Sequence, residues 1–207
     1  MSNNWYSNYM LRHAEETTKG IVRGYLEMMA MMRGQMGHQP DGFLYKGVED
    51  LLLQHGRQFV SQPLNEEEMD IIKRLVERAH YYRPKECFYN AQKIAMGSGN
   101  TIRYIEGVGF AGLIPCDHAW NTINGKVMDF TWAAVNKGKP ILGVIPDGWE
   151  YWGVELDSKA IFKYWKKYQM SEPFLHNYRE GYPLLKKRYE WPEDKVKQPK
   201  PPQTPTV

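Results

Sequence analysis

The strongest constraint on this chain is a dipeptide, Asn124-Gly125, set between two segments of alternating polarity. Asn-Gly suits the two-residue turn whose central residues both need positive φ, and that turn twists its flanks into an antiparallel hairpin. The turn pairs Ile123 with Lys126, so Asn121 faces Met128, Trp120 faces Asp129 and His118 faces Thr131. Side chains alternate along a strand, which puts His118, Trp120, Asp129 and Thr131 on one side. His118 and Asp129 are then diagonal neighbours, with Cβ atoms roughly 6–8 Å apart. At that range a carboxylate accepts a bond from one imidazole nitrogen, fixes the tautomer and supports the ring when it takes a proton.

Around this hairpin the period of the sequence divides the chain into helices first and strands second. Tyr25, Met28, Met29, Met32 and Met36 recur at helical spacing over the first ~36 residues, where seven of the eleven methionines fall. That stripe reads as core or a packing arm, with an adaptable partner surface as the alternative. Turn chemistry at Gly37–Gly42 ends it, and a short helix is expected over Val48 to His55. Asn65 with Glu68 three residues on forms a capping box for a helix whose apolar stripe is Met69, Ile72, Leu75, Val76 and Ala79, ending near Tyr82 before Pro84. Lys85 to Met96 is a further helix, stopped by Gly97-Ser98-Gly99-Asn100, with Cys87 in its first turn. Strands follow at Arg103–Phe110, where Gly107 and Gly109 weaken the pattern or allow a bulge, and at Ile114–Ile123, Lys126–Trp132, Ile141–Ile145 and Tyr151–Leu156. A helix over Ser158–Tyr168 comes after them. Helices, then an antiparallel sheet, then a helix make an α+β domain.

Composition narrows the function classes. With 42% hydrophobic and 25% charged residues the chain has the balance of a folded protein. No apolar run reaches the roughly 18 residues of a membrane span, and MSNNWYSNYMLRHAEE lacks the layout of a signal peptide. Two cysteines make no disulfide scaffold, so a reducing, cytoplasmic setting is expected. A net charge of +3 is too small to point to nucleic acid, although from Lys159 onward eleven Lys/Arg stand against five Asp/Glu. The last stretch, WPEDKVKQPKPPQTPTV, holds five of thirteen prolines and reads as a disordered basic tail, solubilising first, with a contact to nucleic acid or an acidic protein as the alternative. The expected organisation is an N-terminal helical arm over 1–40, a main domain over 41–191 and the tail over 192–207.

The hairpin lacks only a nucleophile, and Cys87 is suitably placed. N–H groups at a helix start stabilise a thiolate, a neighbouring imidazolium stabilises it further, and the same N–H groups can receive an oxyanion. Cys87 in KECFYNA, His118-Ala119-Trp120-Asn121 and Asp129-Phe130-Thr131-Trp132 together resemble the transglutaminase-like branch of the papain-like cysteine superfamily. Those members carry a helix-borne Cys, then His, then Asp on consecutive antiparallel strands. The resemblance covers about residues 80 to 157. It implies that Cys87 is the nucleophile, His118 the base and Asp129 the orienting acid, with YWGVEL at 151–156 a further sheet strand. Tyr81-Tyr82-Arg83 holds no glutamine of the papain type, so the second oxyanion donor is unassigned, with Tyr82 a candidate.

The expected activity is acyl transfer through a thioester, most simply hydrolysis of an amide, peptide or isopeptide bond, with transglutaminase, other acyltransferase or deamidase chemistry on the same triad as alternatives. This chemistry requires no metal or organic cofactor, and its partner is a protein, peptide or small amide or thioester substrate. A non-catalytic binding or structural protein on the same scaffold is the alternative of another class, its contacts carried by the N-terminal helix or the basic tail. Cys116, two residues before His118, lacks a helix start and is the poorer nucleophile. Together with Cys87, His118 and Asp129 it would make a zinc set, but Cys-x-His without a CxxC knuckle is a weak signature. A Cys87–Cys116 disulfide fits poorly with the missing secretion signal. His13, His38, His55, His80 and His176 have no matched partner in sequence and read as structural or exposed; Trp120 reads as core or as the lining of a substrate groove.

Overall fold

The computed structural model describes residues 20–37, 39–77 and 83–192. The first 19 residues, His38, the end of the third helix with Tyr82, and the C-terminal tail lie outside them, as do His13 and His80.

Among the described residues five α-helices accompany a six-stranded antiparallel sheet, whose first strand lies between the second and third helices. The helices are α1 (Ile21–Met36), α2 (Val48–His55), α3 (Glu66–Glu77), α4 (Cys87–Gly97) and α5 (Ser158–Tyr168). The strands are β1 (Arg57–Phe59), β2 (Arg103–Phe110), β3 (Cys116–Ile123), β4 (Lys126–Asp129), β5 (Ile141–Leu142) and β6 (Glu150–Leu156), in the spatial order β1-β6-β2-β3-β4-β5. The α+β class, the helices α2 and α5 and strand β2 stand where the periodicity puts them. The hairpin register also follows the turn: Ile123 pairs with Lys126, Thr122 with Val127 and Asn121 with Met128, and Asn124 and Gly125 both have positive φ.

The two faces of the sheet bury different clusters. On one face Tyr104, Val108, Ala119 and Val154 pack with Cys87 and Ala91 of α4, Val22 and Leu26 of α1, and Leu51 and Leu52 of α2. On the other, Ile105, Trp120, Val127 and Tyr151 pack with Phe59 and Ile145. A third cluster joins Ile72 of α3 to Ile94, Ile102, Ile123 and Met128. The buried side of α1 is therefore Val22 and Leu26, while Met32 of the methionine stripe is exposed, as is its neighbour Met31.

Departures from the periodicity have local causes. The capping box forms as expected, Asn65 and Glu68 each accepting the other's backbone N–H at 2.8 Å. Glu68 also accepts from Asn124 and Lys126, so the cap of α3 holds the hairpin turn, and these bonds, Lys126's first, keep its carboxyl down at about 2. α4 begins at Cys87 rather than Lys85, because Pro84-Lys85 makes a turn with Lys85 in the left-handed region at φ 64°. The strand expected from Ile114 begins at Cys116, and the one expected to reach Trp132 stops at Asp129, where a 3₁₀ turn takes over Thr131–Ala134. The strand expected to reach Ile145 stops at Leu142. Gly107 and Gly109 cause no bulge, since β2 pairs without interruption with β3 and β6. They make room instead: a Cβ on Gly109 would lie 2.3 Å from the ring of Trp132. β1 and the 3₁₀ turn at Pro183–Lys186 were not legible from the pattern.

Candidate active site

The hairpin carries His118 and Asp129 to one place by register alone. Nε2 of His118 lies 2.7 Å from Oδ2 of Asp129, and both side chains are buried, the residues 2% exposed each. Asp129 accepts three further bonds: from the Tyr151 hydroxyl at 3.0 Å on Oδ2, and from the backbone N–H groups of Thr131 at 2.8 Å and Trp132 at 3.2 Å on Oδ1. Four donors use the acceptor capacity of an ionised carboxylate, which offsets the cost of burying it. The chain makes two of them itself by turning back over the carboxylate directly after β4. That turn moves Thr131 off the strand position expected for it.

β4 ends at Asp129, so the first residues of β3, Cys116 to Ala119, have no β4 neighbour on that side. The start of α4 meets His118 there, although its helix packs on the opposite face of the sheet. Asn90, one turn into α4, fastens this junction. It exchanges two bonds with the Arg83 backbone at 2.8 Å and donates to the Thr131 hydroxyl at 2.9 Å. Cys87 is the first helical residue, no side chain caps the helix, and its first turn holds no acid. The N–H groups of Cys87, Phe88 and Tyr89 have no intrahelical acceptor, the first helical bond running from the Asn90 N–H to the Glu86 carbonyl.

Electrostatics and stacking act together on the imidazole. Burial works hardest against the charged ring; the charge and hydrogen bond of Asp129, then the adjacent Cys87, overcome it and hold His118 at about 9. With Nε2 engaged by Asp129, Nδ1 is the nitrogen left for the thiol. The ring lies flat on Trp132, centroids 4.0 Å apart and planes 7° from parallel, with Trp120 stacked at 6.0 Å. An aromatic face favours the protonated ring. Desolvation of the Tyr151 hydroxyl and the nearby Asp129 charge push that phenol well above its ordinary range, so it remains a donor.

The structure thus brings Cys87, His118 and Asp129 together. Cys87 is 8% exposed. Cys116 sits at the surface start of β3; partial burial of its sulfur, then Cys87, Asp117 and Asp129, raise its thiol above the usual range. Both thiols are free, and among the described residues no group of three or more His, Cys, Asp or Glu could hold a metal ion. Trp120 is fully buried in the core against Phe59 and Tyr151. Two histidines expected to lack partners have them: His55 with the Tyr45 hydroxyl at 2.8 Å, and His176 in an ion pair with Asp117 at 3.4 Å. Tyr82, the candidate oxyanion donor, lies outside the described residues.

Sequence reasoning missed Tyr151, Asn90 and the role of Trp132. The turn was foreshadowed, because an Asp followed two residues on by Thr is the spacing at which a carboxylate bonds the backbone ahead of it. Nothing local marks Tyr151, which reaches Asp129 only because β6 and β4 curl toward each other. Among the described residues no helix is long and apolar enough to cross a membrane. The chain matches no family model, no curated protein and no solved structure.

Proposed function

We propose that the protein is a thiol acyl-transfer enzyme, most simply a hydrolase of an amide, peptide or isopeptide bond, built on the transglutaminase-like plan that its Cys, His and Asp words resemble. One observation carries the reading. A cysteine at an uncapped helix start adjoins an imidazole whose far nitrogen is bonded at 2.7 Å to a buried carboxylate. The thiol proton passes to Nδ1 of His118, and the sulfur of Cys87 adds to the substrate carbonyl. The oxyanion meets the N–H groups at the start of α4. His118 then returns the proton to the leaving amine as the carbon–nitrogen bond breaks, leaving a thioester on Cys87. Water, deprotonated by the same ring, releases the acid and restores the thiol. An amine in place of water makes the reaction a transfer. Asp129 holds the ring in the tautomer this needs, and Tyr151 and the two N–H groups keep Asp129 in place. Free thiols suit a reducing compartment such as the cytoplasm.

The low exposure of Cys87 favours a second reading, in which the same polar cluster only organises the interior of a binding protein. Alkylation with iodoacetamide across pH separates the two. The enzyme reading expects Cys87 to react faster than Cys116, with a rate that persists below pH 7 in the wild type and falls in His118→Ala. A p-nitrophenyl ester should also release a burst of one equivalent that Cys87→Ala abolishes. Equal slow labelling of both thiols with ordinary values near 8–9, and no burst, would sink it.

A further inference from the structure

A cavity of about 690 Å³ lies between the end of α1, the approach to α2 and the segment around Tyr182. Its size is that of small-molecule sites, roughly 300–1,000 Å³. None of Cys87, His118 or Asp129 lines it. Among the described residues every charged side chain on its wall is basic: Arg33, Lys46 and His176. Glu49 engages Arg33 through two 3.0 Å bonds, and Asp117 pairs with His176, but neither acid forms part of the wall. Lys46 forms an ion pair with no carboxylate among the described residues. A further ammonium, that of Lys186, sits 5.2 Å from the ring of Phe43 beside the cavity.

The remaining wall is suited to a flat apolar body. Phe43 and Tyr182 present rings with centroids 6.2 Å apart, tilted by 52°. Tyr182 is held at φ 57°, ψ 60°, a left-handed conformation that is unfavourable for a bulky residue. The bonds from the Tyr182 N–H to Asn177 and from the Leu185 N–H to Tyr182 keep it there. Strain of this kind persists where the surroundings over-determine a residue, and here it aims an aromatic ring into a basic cavity.

We propose that this cavity binds a small planar molecule bearing a carboxylate or phosphate, its ring against Phe43 and Tyr182 and its oxyanion toward Lys46 and His176. The site is separate from Cys87 and stands whether or not that residue is a nucleophile. Titration calorimetry on the full chain with benzoate, phenyl phosphate and the neutral benzyl alcohol tests it. The expected result is one saturable site for at least one of the two anions and at least tenfold weaker binding of benzyl alcohol. The preferred anion identifies the headgroup. Lys46→Glu, at an exposed position, should weaken that binding at least tenfold, the equivalent of a charge-assisted bond. His176→Gln should weaken it about threefold or more, and Cys87→Ala should bind as the wild type does. Thermal melts of each variant check that the fold is retained. Absence of saturation by either anion, benzyl alcohol binding as tightly as the preferred anion, or unchanged binding in both Lys46→Glu and His176→Gln would overturn the proposal.

Discussion

Two carboxylates are buried on opposite faces of one sheet, and their surroundings differ by a single kind of group. Asp129 accepts from a tyrosine, two backbone N–H groups and an imidazole. Glu106, 1% exposed, accepts from the Tyr104 hydroxyl at 2.5 Å and from the N–H groups of Phe174 and Leu175. Among the described residues no cation is hydrogen-bonded to it. Burial drives Glu106 upward, and the bonds from Leu175, Tyr104 and Phe174, with the charge of His176, restrain it at about 7. Beside Asp129 the corresponding proton resides on the partner, with His118 held at about 9. Glu106 pins the 174–175 backbone to the sheet, and Gln92 of α4 reaches the same Tyr104 hydroxyl. The same donors thus hold a lone carboxylate on one face and, with an imidazole added, a hydrogen-bonded His–Asp pair on the other.

Matched substitutions test this contrast, and the largest expected effect is on turnover. Cys87→Ala should abolish ester and amide hydrolysis. Asp129→Asn should lower kcat/KM by about 10³–10⁴ through the wrong imidazole tautomer. Glu106→Gln should stay within about threefold of wild type. Similar losses for Asp129→Asn and Glu106→Gln in steady-state assays would break the comparison.

Stability comes next. His118→Ala leaves the Asp129 charge buried without its cation and should cost about 3–5 kcal/mol in urea unfolding at pH 7. Glu106→Gln removes an acid that burial already disfavours and should cost less than half as much. A smaller cost for His118→Ala than for Glu106→Gln would contradict the assigned partners.

The pH profiles should separate the two faces. Glu106 binds protons more tightly folded than unfolded between its ordinary 4.5 and about 7, so its contribution to stability falls as pH rises through that window. His118 has the same sign one window higher: its contribution is fully present below 6.5 and lost as pH rises through about 9. Each slope approaches one proton, roughly 1.4 kcal/mol per pH unit. Glu106→Gln should flatten the lower window and His118→Ala the upper one, as read from denaturation midpoints across pH.

The smallest effects belong to the two phenols. Tyr151→Phe and Tyr104→Phe each remove one bond to a buried carboxylate and should cost about 1–3 kcal/mol. Only Tyr151→Phe should move the imidazole titration of His118 in NMR. An equal movement in Tyr104→Phe would mean that the two networks are one.

Much of this arrangement was readable because it is local. Asn124-Gly125 set the register that brought His118 beside Asp129, and Asn65 with Glu68 set the start of α3. Alternation, weakened by Gly107 and Gly109, marked β2, and apolar spacing marked α2 and α5. Where local cues competed, boundaries moved. Pro84-Lys85 delayed α4 by a turn that made Cys87 its first residue, and the carboxylate of Asp129 drew Thr131 and Trp132 out of the strand.

The sequence by itself determined the hairpin, the pairing of His118 with Asp129 and the helix start at which Cys87 stands. Each follows from residues within a few positions of one another, where backbone preference and side-chain alternation leave few conformations. Only the tertiary structure decided the order β1-β6-β2-β3-β4-β5, and with it the approach of Tyr151 to Asp129. It also decided the Trp132 roof over the imidazole in the space left by Gly109, and the cavity that Lys46 shares with His176. Those contacts join segments tens of residues apart, and what selects them is the burial of two faces of one sheet at once, a condition that no short stretch of sequence contains.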